Sequence, residues 1–115
     1  MAKPKVLIVE DSQDIQEMFR DALAQRMEVL SAFSIEEAKE LFLKKQDLSA
    51  VAMDACVPGN KPNTMDLVRM FRQTFVGPMI AISSDDSYSR QLVLNGCSHR
   101  CEKYDLPEML LRLLG

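Results

Sequence analysis

The 115-residue sequence is poor in the residues that build zinc sites and disulfide frameworks. It has no tryptophan, one histidine and three cysteines that form no C-x-x-C pair. His99 has no second histidine to pair with, which argues against zinc. An odd cysteine count argues against a disulfide framework, so we expect Cys56, Cys97 and Cys101 to be small buried apolar residues. If residues 97–101 form a strand, Cys97 and Cys101 share a face about 13 Å apart, too far to bridge.

Long apolar runs, charge of one sign and glycine-rich phosphate loops are also missing. The first apolar stretch, residues 6–9, is too short for a signal-peptide core or a membrane span, so we predict a cytoplasmic protein without membrane insertion. The net charge is −3 with no stripe of Lys and Arg, which argues against direct nucleic-acid binding. Gly59 and Gly77 lie outside the G-x-G-x-x-G and G-x-x-x-x-G-K patterns, so dinucleotide and ATP sites are unsupported.

The chain does contain enough apolar residues for one globular domain. Hydrophobic residues make up 47% of the sequence, and a chain of this size buries roughly two-thirds of its surface on folding. It can therefore form a core without disulfides or a structural metal. We assign residues 1–115 to a single domain.

Strand-like and helix-like segments alternate along the sequence. Residues 5–9, 50–53 and 79–82 are apolar runs without polar alternation, typical of strands covered on both faces. Residues 28–32 and 98–102 are more polar and fit edge strands. An amphipathic pattern follows each strand, so right-handed crossovers place helices on both faces of a parallel sheet. The predicted fold class is α/β, a doubly wound five-stranded parallel sheet of order 2-1-3-4-5, flavodoxin-like.

Helix boundaries are marked by capping residues and glycine. The helix over residues 86–95 should end at Gly96. The third helix should use one apolar face, which consists of Met65, Val68, Phe71 and Phe75. The predicted capping residues are Ser12, Ser34 with Glu37, Asn63, and Asp105 with Glu108.

The carboxyl ends of the predicted strands carry charged or hydroxyl side chains. Glu10 and Asp11 follow the first strand, Asp54 the third, Ser83 the fourth and Lys103 the fifth. These ends meet on one rim of a parallel sheet. Crowded carboxylates repel one another and normally hold a hard divalent cation, for which Mg²⁺ fits best. Such a site suits phosphoryl transfer.

In that chemistry Asp54 is the nucleophile that becomes an aspartyl phosphate. Lys103 and the metal balance the charge of the phosphoryl oxygens, and Ser83 donates a hydrogen bond to one of them. Each residue alone also has a structural explanation: Glu10 and Asp11 as helix-start residues, Asp54 as a strand terminator and Lys103 as a solvated edge residue. Their occurrence together on one rim favours the functional interpretation.

These motifs resemble the receiver domain of two-component response regulators, of the chemotaxis-regulator type. The resemblance covers about residues 5–114 and is carried by Val9-Glu10-Asp11, Met53-Asp54 with Pro58-Gly59, Ala81-Ile82-Ser83-Ser84 and Lys103. It implies Mg²⁺ held by Glu10, Asp11, Asp54 and the backbone carbonyl of Cys56. It also implies a phosphohistidine donor, either a histidine kinase or a histidine phosphotransfer protein.

The sequence departs from that family at several positions. Arg100 stands three residues before the lysine, where such domains usually have Tyr or Phe, and we expect it to stay exposed because a buried unpaired guanidinium is costly. Tyr104 replaces the family's proline after Lys103, and we expect a trans bond because a cis bond there costs about 3 kcal/mol. Residues 60–64 replace a short Gly-containing loop.

Three classes of function compete. The favoured one is a signalling domain phosphorylated on Asp54 in a Mg²⁺-dependent reaction that changes its interaction surface. Any enzymatic activity is at most self-phosphorylation from a phosphodonor and slow autodephosphorylation, not that of a stand-alone metabolic enzyme. The alternative is a degenerate receiver, a phosphorylation-independent interaction module, supported by Arg100 and Tyr104. A stand-alone phosphatase or flavin-binding protein would share the fold, but an acid–base residue and a Gly-rich phosphate loop are lacking.

Overall fold

The computed structural model describes residues 3–44, 47–58 and 61–115. Within these residues, five strands and five helices alternate along the chain. The strands are β1 (Lys5–Val9), β2 (Glu28–Ala32), β3 (Ala50–Met53), β4 (Met79–Ala81) and β5 (His99–Arg100). The helices are α1 (Gln13–Leu23), α2 (Ile35–Lys44), α3 (Met65–Arg72), α4 (Asp86–Asn95) and α5 (Leu106–Leu114), and a 3-10 turn (Lys103–Asp105) precedes α5.

The strands form one parallel sheet of order β2-β1-β3-β4-β5. This confirms the predicted fold class and strand order. β1 pairs with both β2 and β3, so Leu7 lies between Leu30 and Val51. β5 is shorter than expected, because its pairing with β4 covers only His99 and Arg100.

Both faces of the sheet are covered by helices. Val6 and Ile8 of β1 belong to a buried cluster that includes residues of α1 and α5, whereas Leu7 and Val9 belong to one that includes residues of α2, α3 and α4. Successive residues of a strand point to opposite faces. Because both faces are buried, β1 is apolar at every position from Val6 to Val9, which explains its lack of polar alternation.

The predicted helix starts of α1 and α2 are confirmed, as is the end of α4. The Ser12 hydroxyl accepts a hydrogen bond from the Ile15 N–H at 3.3 Å. The Ser34 hydroxyl accepts from the Glu37 N–H at 3.1 Å, and the Glu37 carboxylate accepts from the neighbouring Phe33 N–H at 3.0 Å. α4 ends at Gly96, whose φ of 139° suits a residue without a Cβ.

The predicted start and inner face of α3 need correction. Asn63 does not cap the helix; its amide accepts from the Val57 N–H and donates to the Val57 carbonyl, both at 2.9 Å. Thr64 occupies the N-cap position instead. Phe75 lies beyond the end of the helix, although it packs against the same core. A local pattern cannot show that an amide is already used within its own loop.

The cap predicted for α5 and the face shared by two cysteines are also wrong. Asp105 occupies the N-cap position of α5 but makes no capping hydrogen bond through its side chain. Cys97 packs in the cluster beside α3 and α4, while Cys101 packs against the cluster beside α1 and α5. The reason is that β5 does not extend from 97 to 101. Cys56 and Cys97 are buried, whereas Cys101 is half-buried, and all three are free thiols.

Two expectations about the backbone concern Tyr104 and the turn after Pro58. The bond from Lys103 to Tyr104 is trans, as expected; within the described residues, the cis bond is Val57–Pro58. The sequence Pro58-Gly59-Asn60 predicts a turn, but Gly59 and Asn60 lie outside the described residues. No helix of the described ranges has both the length and the apolar character needed to cross a membrane.

Gly96→Ala should lower the free energy of unfolding by about 2 kcal/mol, because a φ of 139° strains a residue with a side chain. The added Cβ would also lie 3.1 Å from Cγ of Arg72 and 3.2 Å from Cγ1 of Val68. Urea denaturation measures the loss. Leu94→Ala on the same helix, at a side chain 85% exposed, is the control and should change stability by less than about 0.5 kcal/mol. Equal midpoints for wild type and Gly96→Ala would contradict the strain argument.

Candidate functional site

Three acidic side chains converge where β1 and β3 end. Val9 and Met53 are paired at the last position of these neighbouring strands, so the residues that follow them emerge side by side. Carboxylate oxygens of Glu10, Asp11 and Asp54 all lie within 4.8 Å of one another. The structure therefore brings together the three carboxylates that the sequence placed on one rim.

Lys103 reaches the same point from the edge of the sheet that β5 forms. Its Nζ lies 2.6 Å from Oε1 of Glu10 and 3.3 Å from Oδ2 of Asp54. The sequence placed Lys103 at the end of a fifth strand, but β5 ends at Arg100 and Lys103 begins the 3-10 turn. The turn directs the ammonium inward, where its side chain is only 22% exposed.

Backbone N–H groups orient the two buried carboxylates. Oε2 of Glu10 accepts from the Ser12 N–H at 3.0 Å. Oδ1 of Asp54 accepts from the Ala55 N–H at 2.9 Å. In both carboxylates, the N–H group and Lys103 contact different oxygens, so each carboxylate has two fixed contacts.

Burial and crowding disfavour the ionised carboxylates. Burial raises the pKa of Glu10 and that of Asp54, while hydrogen bonding and charge from Lys103 act against the increase. The charge of Asp54 adds to the increase at Glu10, and the charge of Asp11 adds to the increase at Asp54. For Lys103, burial alone would lower the pKa, but Glu10 and Asp54 together raise it. The ammonium therefore stays charged.

The donor set fits a hard divalent cation. When ionised, Glu10, Asp11 and Asp54 carry three negative charges, of which Lys103 neutralises one. The net charge of −2 that remains balances a divalent cation. The closely grouped carboxylate oxygens are ligands that hard divalent cations prefer. Among the described residues, Glu10, Asp11 and Asp54 form the one group of side chains that could hold a metal ion. His99 is not part of this group.

Ser83 and Cys56 lie in the loops that follow β4 and β3. The Ser83 hydroxyl accepts from the Asp85 N–H at 3.1 Å, which leaves its own hydrogen for another acceptor. Ser83 also lines a groove of ≈ 230 Å³ together with Ser84, Ser89 and Arg100. The side chain of Cys56 is buried, and burial raises the pKa of its thiol, with the charge of Asp54 adding to the increase.

Arg100 lies at the surface, as the sequence argument predicted. Its side chain is 46% exposed, and its Nη1 lies 3.0 Å from Oδ1 of Asp86 in the first turn of α4. Oδ2 of Asp86 also pairs with Arg90 at 3.0 Å. Arg100 is thus linked to α4 by an ion pair.

Two buried polar residues near the site were not singled out from the sequence. The Gln16 amide donates to the carbonyls of Ile8, Glu10 and Ala32 at 2.9, 3.1 and 3.3 Å. Its position, three residues before Phe19 on the buried side of α1, was a usable signal. The Thr64 hydroxyl contacts the backbone after β3, and no local pattern distinguishes it from an ordinary helix start.

Known structures share this architecture. The BeF3-activated N-terminal receiver domain of RstA from Klebsiella pneumoniae is 24% identical, with a TM-score of 0.77 over 94% of this chain and 92% of that one. Chemotaxis protein CheY4 of Vibrio cholerae is 22% identical, with a TM-score of 0.80 over 98% of this chain and 100% of that one. The chain has the receiver-domain fold.

The receiver fold also occurs in a crystal structure that contains a phosphorylated aspartic acid. A response regulator from Burkholderia pseudomallei, described with a phosphorylated aspartic acid, a calcium ion and citrate, is 15% identical, with a TM-score of 0.82 over 98% of this chain and 67% of that one. No protein-family model matches the sequence, and the comparison with curated proteins finds no match. The similarity of this chain to known proteins therefore rests on the shared fold and not on a sequence match.

Asp54→Asn should raise the free energy of unfolding in EDTA by about 1 kcal/mol, the usual size of a single-residue effect. The change removes a buried charge whose pKa is raised by burial, while Lys103 keeps its closer partner Glu10. Chemical denaturation in EDTA measures the difference. Asp21→Asn, at an exposed position of α1, removes the same charge and should shift stability by less than about 0.5 kcal/mol. A clear loss of stability in Asp54→Asn would contradict this account.

Proposed function

We propose that this chain is a receiver domain of a two-component system that accepts a phosphoryl group on Asp54. The observation that carries the proposal is the contact of Asp54 with Lys103 at 3.3 Å beside the carboxylates of Glu10 and Asp11. A nucleophilic carboxylate, a cation and further oxygen ligands are the groups that phosphoryl transfer to an aspartate requires. The phosphodonor is a histidine kinase or a histidine phosphotransfer protein.

The transfer balances without a further reactant. A carboxylate oxygen of Asp54 attacks the phosphorus of a phosphohistidine, an O–P bond forms and the N–P bond breaks. The electron pair of the broken bond stays on the imidazole of the donor, which takes a proton from water. Slow attack of water on the phosphorus then returns the Asp54 carboxylate and inorganic phosphate.

The residues around Asp54 have separate tasks in this proposal. Lys103 places its positive charge next to the oxygens of the incoming group, and Ser83 donates its hydroxyl hydrogen to one of them. Glu10, Asp11 and Asp54, with the backbone carbonyl of Cys56 that the family resemblance implies, would hold Mg²⁺. When bound, Mg²⁺ supplies positive charge for the phosphoryl oxygens.

The domain and its location are part of the same proposal. Residues 1–115 form one receiver domain, which works in the cytoplasm without direct nucleic-acid binding. Three free thiols suit a reducing compartment. Phosphorylation changes the surface that a downstream protein partner contacts.

A phosphorylation-independent interaction module is the second candidate. It is favoured by the ion pair between Arg100 and Asp86 at 3.0 Å, since Arg100 stands where the family resemblance implies a mobile aromatic ring. A guanidinium that leaves its surface partner for a buried position would lose favourable contacts with water and with Asp86. The two candidates differ in whether Asp54 takes up phosphate.

Mg²⁺ at tenfold over its Kd should stabilise the wild-type fold by about 1.4 kcal/mol, because it binds the folded state and relieves carboxylate repulsion. Asp11→Asn should lose most of this gain, whereas Asp21→Asn should keep it. Thermal denaturation in EDTA and in MgCl₂ measures each difference. An unchanged wild-type melting temperature between the two conditions would refute the metal site.

Acetyl phosphate with Mg²⁺ should add one phosphoryl group to the wild-type protein and none to Asp54→Asn, because the amide is not a nucleophile. Lys103→Ala should accept phosphate more slowly, and Asp21→Asn should behave like the wild type. Intact-mass spectrometry measures the uptake. Equal uptake by Asp54→Asn would overturn the assignment of Asp54, and no uptake by the wild type would favour the interaction module.

A further inference from the structure

Thr64 is a fully buried residue that contacts the backbone of Asp54. Its hydroxyl donates to the Asp54 carbonyl at 2.7 Å and lies 3.1 Å from the Ala55 carbonyl. Its one hydrogen is thus directed at the two peptide groups that follow the phosphoacceptor position.

The position of Thr64 makes this use of its hydroxyl unusual. A threonine at the N-cap of a helix normally accepts a hydrogen bond from an N–H of the first turn. Thr64 makes no such bond, and its φ of −108° and ψ of 2° differ from the extended cap conformation of Ser12 and Asp85. α3 therefore begins without a side-chain cap, and the hydroxyl serves the β3–α3 loop instead.

One rigid unit connects the Thr64 hydroxyl to the Asp54 carboxylate. The Asp54 carbonyl and the Ala55 N–H belong to the same planar peptide group. Thr64 holds the oxygen of this group, and the N–H at its other side donates to Oδ1 of Asp54 at 2.9 Å. If the peptide group rotated, the N–H would leave Oδ1. Oδ2 would then lose its fixed direction toward Lys103.

The surrounding loop is held independently of the Thr64 hydroxyl. The Asp54 N–H donates to the Val9 carbonyl at 3.0 Å, and the Asn63 N–H donates to the Ala55 carbonyl at 2.9 Å. The Asn63 side chain bridges both backbone groups of Val57. Removal of the hydroxyl should therefore loosen one peptide group and leave the path of the loop in place.

We propose that Thr64 is a positioning residue that fixes the Asp54–Ala55 peptide group and thereby the carboxylate of Asp54. This inference rests on the proposed function of Asp54 as phosphoacceptor and metal ligand. Residues that orient metal ligands typically change metal affinity or activity by 10- to 100-fold when they are replaced.

Three variants separate positioning from simple stability. Thr64→Val keeps the shape of the side chain and removes the hydroxyl. Thr64→Ser keeps the hydroxyl and removes the methyl group. Thr74→Val is the control, because it replaces an exposed threonine by valine. Each is measured at a temperature where circular dichroism shows it to be folded. The readouts are amide hydrogen exchange at Ala55 by NMR, Mg²⁺ binding by calorimetry and phosphate uptake from acetyl phosphate.

In Thr64→Val, hydrogen exchange at the Ala55 amide should be faster than in the wild type. The variant should also bind Mg²⁺ roughly tenfold more weakly and take up phosphate more slowly. Thr64→Ser and Thr74→Val should match the wild type in all three. Wild-type exchange and Mg²⁺ affinity in Thr64→Val would overturn the inference, as would an equal loss in Thr64→Ser. If the wild type itself binds no Mg²⁺ and takes up no phosphate, the proposed function fails before the variants are compared, and this inference fails with it.

Discussion

The pairing of Lys103 with Glu10 and Asp54 is the interaction on which the rim of this sheet depends. Two carboxylates are buried there beside a third, and burial of unpaired charges is strongly unfavourable. The ammonium, at 2.6 and 3.3 Å from two of them, offsets part of that cost. The negative charge that is left over suits this rim for a cation.

Local backbone contacts keep that charge in a defined geometry. N–H groups of Ser12 and Ala55 hold the two buried carboxylates, and two buried polar side chains, Gln16 and Thr64, hold carbonyls of the same loops. Buried polar groups are stable when they are hydrogen-bonded to one another. In the loops after β1 and β3, buried side chains therefore supply hydrogen bonds to the backbone carbonyls of Glu10 and Asp54.

The opposite end of the rim differs from this arrangement. Arg100 and Arg90 share Asp86 at the start of α4, and these side chains are exposed to solvent. Exposed ion pairs contribute little to stability, so the cost of burying the guanidinium, more than the contact with Asp86, keeps Arg100 at the surface. The rim thus combines a buried acidic group at one side with exposed ion pairs at the other.

Sequence patterns predicted the strand order because apolar runs such as residues 6–9 have no place except between two helix layers. They also predicted the rim, since in a parallel sheet the carboxyl ends of strands meet at one edge. The pattern was less informative where polar groups compete for partners. Asn63 and Asp105 look like helix caps, yet Asn63 bonds to Val57 and Asp105 makes no side-chain cap.

The sequence by itself therefore determined which residue types lie at the strand ends, through hydrophobic periodicity that depends on neighbours a few positions away. Only the tertiary structure decided how they meet. Lys103 and Asp54 are 49 positions apart in sequence, and the distance between them depends on the pairing of β3, β4 and β5 and on a turn where a longer strand was expected. The same holds for Thr64, since the acceptors of a hydroxyl are set by the packing of a loop and not by the residues next to it.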